Sequence, residues 1–138
     1  MSLPTLQGFK AGGTINVGRC LKLDVSQDNA VVQCTAATDA ALFISKRSMR
    51  DTPGLTGVDN SIAANSGDSI EVYGPGSVAP ALAGAAITRG ASVTSDGTGK
   101  VITSAGATTR VVGFALESAS GANVEINILV NPWSATIP

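Results

Sequence analysis

Glycine marks the points along this chain where apolar alternation begins, and that pairing excludes most architectures. The pattern Gly, any residue, then Ser, Thr or Asn, then Ile or Val occurs four times: Gly12–Ile15, Gly67–Ile70, Gly90–Val93 and Gly121–Val124. The spacings of 55, 23 and 31 residues are too uneven for a solenoid. Each instance reads as a strand entry, with glycine supplying the turn and the β-branched residue the first inward position.

Period-2 alternation follows these entries, as a half-buried strand requires. In Asn123–Val130 the apolar positions are Val124, Ile126, Ile128 and Val130, set against Asn123, Glu125 and Asn127. Leu21, Leu23 and Val25 alternate with Lys22 and Asp24, and Ile70 and Val72 flank Glu71. Val111–Leu116 is apolar on both faces and suits a central strand. Asp96-Gly97-Thr98-Gly99 joins Ala91–Ser95 to Lys100–Ser104 as a hairpin, since Asp-Gly favours the left-handed geometry of tight turns. A second hairpin joins Arg110–Leu116 to Val124–Val130 across Ser118–Gly121.

Helix is disfavoured. Val78–Ile87 is rich in Ala, but Pro80 and Gly84 limit it to two turns at most. The expected fold is mainly β: one small antiparallel β-barrel or sandwich over residues 14–130. An irregular N-terminal arm (1–13), a C-terminal arm (131–138) and a long loop at about 46–66 complete it. Leu, Ile, Val and Phe make up 34 of 138 residues, enough for a core. Ala, Gly, Ser and Thr supply 63, so that core is thin.

The chemistry is sparse. The absence of His removes the commonest general acid/base, the usual catalytic triads and nearly all zinc sites. Net charge is −1, so no basic field draws nucleic acid. The longest apolar run is six residues, far short of a membrane span. The first 30 residues hold no secretory apolar stretch, which predicts synthesis in the cytoplasm. Asp24, Asp28, Asp51 and Asp59 are the carboxylates open to an enzymatic reading, and nothing spaces them as a pair across a cleft. The sequence thus offers no catalytic residue, no cofactor and no metal site.

Cys20 and Cys34 lie 14 apart around a turn near Ser26–Asn29, and a hairpin centred on Gln27 sets them opposite one another. They read as two small buried hydrophobes, with a cross-strand disulfide as the alternative. Contact residues are sought elsewhere. Leu3, Leu6 and Phe9 on the N-terminal arm and Trp133 on the Pro-flanked C-terminal arm dock onto a partner or pack back onto the chain. Lys46, Arg47 and Arg50 form the one concentrated charge, read as either a solvated loop or an anchor on an acidic surface.

The second half carries an ordered set of motifs. Ser66-Gly67-Asp68-Ser69-Ile70-Glu71-Val72 leads to Ile87-Thr88-Arg89-Gly90-Ala91-Ser92-Val93, then Ser95-Asp96-Gly97-Thr98-Gly99-Lys100-Val101. Val112-Gly113-Phe114-Ala115-Leu116-Glu117-Ser118-Ala119 and Val124-Glu125-Ile126-Asn127-Ile128 close it. In this order they resemble the bacteriophage capsid cement, or head decoration, proteins. Gly12–Val25 and Ala30–Thr35 look like that family's opening strands, while the stretch 46–62 is longer than usual and the arms lie outside the common pattern. The resemblance implies a non-catalytic protein on the outer face of a phage head. Its implied partners are the major capsid protein and itself, as a homotrimer or alternatively a dimer, with no nucleic acid and no membrane. The competing class is a virion-surface adhesin or carbohydrate-binding module, for which Tyr73 and Trp133 are the candidate platforms.

Overall fold

Twelve strands make up the secondary structure in the computed structural model, which describes residues 6–46, 62–104 and 110–134. They are β1 (Leu6–Ala11), β2 (Ile15–Asn16), β3 (Cys20–Leu23), β4 (Ala30–Gln33), β5 (Phe43–Ser45) and β6 (Ile62–Ala64). β7 (Ser69–Tyr73), β8 (Val78–Leu82), β9 (Ser92–Ser95), β10 (Val101–Thr103), β11 (Arg110–Ala115) and β12 (Glu125–Ser134) follow. No helix occurs among the described residues.

Five strands close into a barrel in the order β1-β4-β3-β5-β7. Its filling is small and branched: Ala11, Ile15, Val17, Leu21, Val31, Ile70 and Val72 are all buried together. A five-stranded sheet, β10-β9-β11-β12-β8, lies against the barrel wall. There Cys20, Cys34, Ala41 and Ile44 from the barrel meet Ala79, Ala81, Val93, Ile126, Ile128 and Val130 from the sheet in one cluster. Cys20 precedes and Ile44 follows a residue that packs on the barrel core, Leu21 and Phe43 respectively, so alternation turns both onto the sheet. Gly18 lies under the junction, where a Cβ would stand 3.3 Å from the Leu82 nitrogen.

The β-branched residues at the strand entries turn inward as the pattern predicts, but of the four glycines only Gly67 (φ +90°) and Gly90 (φ +88°) take the left-handed conformation. Ile15, Ile70 and Val93 are buried, and Val124 is half-buried against the core. Val111–Ala115 lies in β11, held between β9 and β12 at the centre of its sheet, while Leu116 falls just past the strand and is exposed. Both hairpins form, pairing Val101 with Ser95 and Ala115 with Ile128. In the first, however, the left-handed residue is Gly99 (φ +83°), and Asp96 holds the turn by accepting the N–H groups of Thr98 and Lys100.

Other parts depart from the sequence pattern. β1 lies within the stretch read as an arm and pairs with β7 over Leu6–Lys10; β12 runs past residue 130 to Ser134, opposite Arg110. β6 occupies 62–64 of the long loop, whose residues 47–61 fall outside those described. The Ala-rich stretch forms β8 instead of helix, because pairing with β12 buries Ala79 and Ala81. The barrel is also not wholly antiparallel, since β1 runs parallel to β4. Leu23 is 49% exposed and Val25 fully so, although both share the phase of buried Leu21. The alternation outlasts the strand: β3 ends at Leu23 and the following turn carries Val25 beyond the barrel.

Candidate interaction surface

Acid/base chemistry finds no site among the described residues. The Asp24 carboxylate accepts hydrogen bonds from the Ser26 hydroxyl (2.7 Å), the Ser26 N–H (2.9 Å) and Gln27 Nε2 (3.0 Å). The Ser26 contacts hold its pKa below the usual range, as suits a turn-stabilising carboxylate. Asp28 lines an open groove of about 490 Å³ at the barrel end, with Phe9, Lys10, Asn29 and Ser69, and has no second carboxylate there. Asp51 and Asp59 lie outside the described residues. No group of three or more acidic or thiol side chains stands ready for a metal among the described residues.

Asp39 has a similar structural task. It accepts the Thr35 N–H (2.9 Å) and lies 3.1 Å from Lys22 Nζ, tying the loop after β4 to β3. Burial acts to raise its pKa, but the hydrogen bonds from Thr35 and Lys22 outweigh burial and leave it lowered.

The two cysteines stand opposite one another, with the Cys34 N–H donating to the Cys20 carbonyl (2.9 Å), and both are free and buried. Burial raises both thiols, that of Cys34 to about 12. A thiol so shifted supplies almost no thiolate at neutral pH. A thiol-reactive disulfide reagent at pH 8 should therefore label neither cysteine in the native protein and both in denaturant. Fast native labelling would show that these strands open readily.

The sequence-derived contact candidates scatter. Phe9 packs on Phe43, ring centroids 5.0 Å apart, against the barrel core. Leu6 pairs with Tyr73 through the backbone of β1. Lys46 Nζ lies 3.9 Å from Glu71 Oε1, and the Lys46 N–H donates to the Glu71 carbonyl. Trp133 sits within β12, opposite Val111. Leu3, Arg47 and Arg50 lie outside the described residues. Tyr73, a candidate sugar platform, is half-buried against the sheet-side core.

Two features escaped the sequence. Arg19 reads as a surface charge yet is 3% exposed, with Nη1 donating to the Val17 carbonyl (3.0 Å). Val78, Leu129 and Phe114 align side by side across β8, β12 and β11 on the face of the sheet turned away from the barrel. The available signal was Leu129, an apolar residue in the polar phase of β12.

Comparison with known proteins bears on what such a surface serves. The head fiber gp8.5 N base of bacteriophage phi29 shares the fold: TM-score 0.60 at 16% identity, covering 94% of this chain and 95% of that one. No curated protein sequence matches. A family model described as phage cement protein matches residues 25–131. That span exceeds half of the chain, so this chain belongs to the phage cement protein family and is a structural protein of the phage virion.

Proposed function

We propose that the protein binds the outer face of a phage head and ties neighbouring capsomers of the major capsid protein together against the pressure of packaged DNA. Family membership carries this reading. The molecule suits the task physically. A barrel leaves no strand edge of its own, and many modest contacts repeated over a lattice supply avidity without high affinity at any one site. The protein acts as a homo-oligomer, most simply a trimer. Trp133, Leu3 and Leu6 near the chain ends, together with Lys46, Arg47 and Arg50, supply contacts to the shell or to sister copies.

Heads from a phage lacking the gene test the reading. Virions should contain the protein in stoichiometric amount, deleted heads should release DNA at lower temperature, and added purified protein should restore the difference. Heads unaffected by deletion, or particles without the protein, would overturn the proposal.

A further inference from the structure

The five-stranded sheet repeats the barrel strand for strand. In the barrel Leu6 pairs with Tyr73 and Lys10 with Ser69; in the sheet Val78 pairs with Leu129 and Leu82 with Glu125. Leu23 lies opposite Val31 as Ser95 lies opposite Val101, and Cys20 opposite Ile44 as Ser92 opposite Phe114. The parallel contact of Ala11 with Val31 recurs as the bridge between Ala83 and Val101, which brings the two ends of the sheet together. Turn conformations match as well: Gly18 (φ +67°) with Gly90 (φ +88°), Gly67 (φ +90°) with Asn123 (φ +67°), and Asn29 (φ +54°) with Gly99 (φ +83°). Ala11, Gly12, Ile15, Gly18 and Asp24 reappear 72 residues on as Ala83, Gly84, Ile87, Gly90 and Asp96. The chain is two like units in tandem.

These units meet head to tail. Gly18–Cys20 of the first enters the second between β8 and the β9–β10 hairpin: the Leu82 N–H donates to the Gly18 carbonyl (3.1 Å) and the Cys20 N–H to the Gly99 carbonyl (2.7 Å). Gln33 Nε2 donates to the Thr98 carbonyl (2.9 Å). The corresponding places at the outer ends of the tandem are open. A Cβ on Gly18 would stand 3.3 Å from the Leu82 nitrogen, whereas Gly90 is exposed and a Cβ there would meet nothing within 4 Å. Lys10 and Asn29, the counterparts of buried Leu82 and Gly99, are exposed and line the groove of about 490 Å³. Ile44 and Tyr73 of the seam correspond to Phe114 and Leu129 on the outward face of the sheet.

Side-chain sizes at the open ends compensate. Within the chain, long Gln33 and Arg19 pack against a residue with no side chain: a Cβ on Gly99 would lie 2.8 Å from Gln33 Cγ and 3.1 Å from Arg19 Cβ. At the outer ends the bulk is on the other side. Asn29 holds the place of Gly99, while shorter Thr103 and Ala91 hold those of Gln33 and Arg19. A head-to-tail contact leaves one half of itself free at each end, and such contacts close into rings or run on as filaments.

We propose that a second copy of this chain covers the groove, its Gly90–Ser92 turn and Thr103 seating on Lys10 and Asn29, so that the seam inside each chain repeats between chains. The Lys10 N–H, which donates to the Asn29 carbonyl at 2.9 Å in the single chain, turns to the Gly90 carbonyl of the second copy, and the Ser92 N–H of that copy takes its place on Asn29. One hydrogen bond is exchanged for two. The inference gives the homo-oligomer of the cement reading its surface and rests on that reading for there being an oligomer. Closed as a trimer, the contact makes a ring of six like units.

Cross-linking of the purified full chain tests the contact. Asn29→Cys and Thr103→Cys variants, mixed and treated with oxidised glutathione, should join as a disulfide dimer, and neither should do so alone, because the contact pairs unlike surfaces. Thr103→Trp, at an exposed position, should keep the wild-type circular dichroism and weaken association by about tenfold or more in sedimentation equilibrium. Adding Asn29→Gly should recover most of that loss, since the two side chains then no longer meet. Asn29 already holds a left-handed φ that glycine accepts, so the second change suits the fold. Dimers from either single cysteine variant alone would make the contact two-fold and overturn the repeated seam. An oligomer that forms no cross-link and ignores Thr103→Trp would overturn this surface and leave the homo-oligomer standing. A wild-type monomer at millimolar concentration would overturn both, with binding to heads still decided by the deletion experiment.

Discussion

Gly113→Ala should be the most damaging single-methyl change in the described fold, lowering stability by about 3 kcal/mol or more or driving the protein into inclusion bodies. Gly113 sits in β11 between Val130 on β12 and Val93 on β9, next to the irregularity where the β11–β12 register shifts. A Cβ there would collide with the Leu129 carbonyl oxygen and stand 2.9 Å from the Leu129 carbonyl carbon and 3.2 Å from the Asn131 nitrogen. These are backbone atoms of the paired strand, so no rotamer change relieves the collision and the central strands must separate. Gly13→Ala and Gly121→Ala serve as controls. Neither position has an atom within 4 Å of the added methyl or a left-handed φ, so both should stay within about 0.5 kcal/mol of wild type. Urea midpoints measure all three, and an unchanged midpoint for Gly113→Ala would show that β11 and β12 do not meet at this bulge.

Ile44→Ala should cost about 2–5 kcal/mol and unfold barrel and sheet in one step. Ile44 is fully buried on β5, between Cys20 on β3 and Tyr73 on β7. Its cluster joins the barrel wall to Ala79, Ile126 and Ile128 of the sheet. Truncation therefore opens a cavity at the seam between the two halves, where neither half closes it alone. Far-UV circular dichroism and tryptophan fluorescence follow the loss, since Trp133 lies on a sheet strand. Coincident transitions displaced to lower urea are the expected result. A fluorescence transition left in place while the dichroism moves would mean that the sheet holds together without the barrel.

The legible parts of the fold were the local ones. Both hairpins could be read because turn and flanking alternation are contiguous, and the two cysteines fell opposite one another because a hairpin's centre determines its register. Val111–Leu116 announced a central strand by being apolar on both faces. Pairings between distant segments left no such trace. Leu6–Ala11 reads as part of an arm in the sequence because its partners, residues 69–73 and 30–31, lie far along the chain. Val78–Ile87 carries no strand alternation in the sequence because the residues of β8 that face the core, Ala79 and Ala81, are alanines set close to the barrel wall and silent in a hydropathy pattern. Val25 misled in the opposite direction, keeping strand phase in a turn.

The surface was harder to read than the fold for a related reason. Charged clusters and tail aromatics stand out in a linear sequence, so Lys46, Phe9 and Trp133 drew attention. In space, Phe9 rests on Phe43 and Lys46 approaches Glu71. The row of Val78, Leu129 and Phe114 gathers one residue from each of three strands and exists only once their register is known.

Barrel closure also governs how the polypeptide is made. Leu6 meets its partner only when Tyr73 has been synthesised, and the parallel contact of Lys10 with Ala30 cannot be reached by a tight turn. The first strand thus leaves the ribosome long before the segment that completes its ring. Such remote pairing puts acquisition of the native state in the slow class, about milliseconds to seconds. The nascent chain thus spends its most vulnerable interval with an unsatisfied leading strand, exposed to misfolding until β7 arrives.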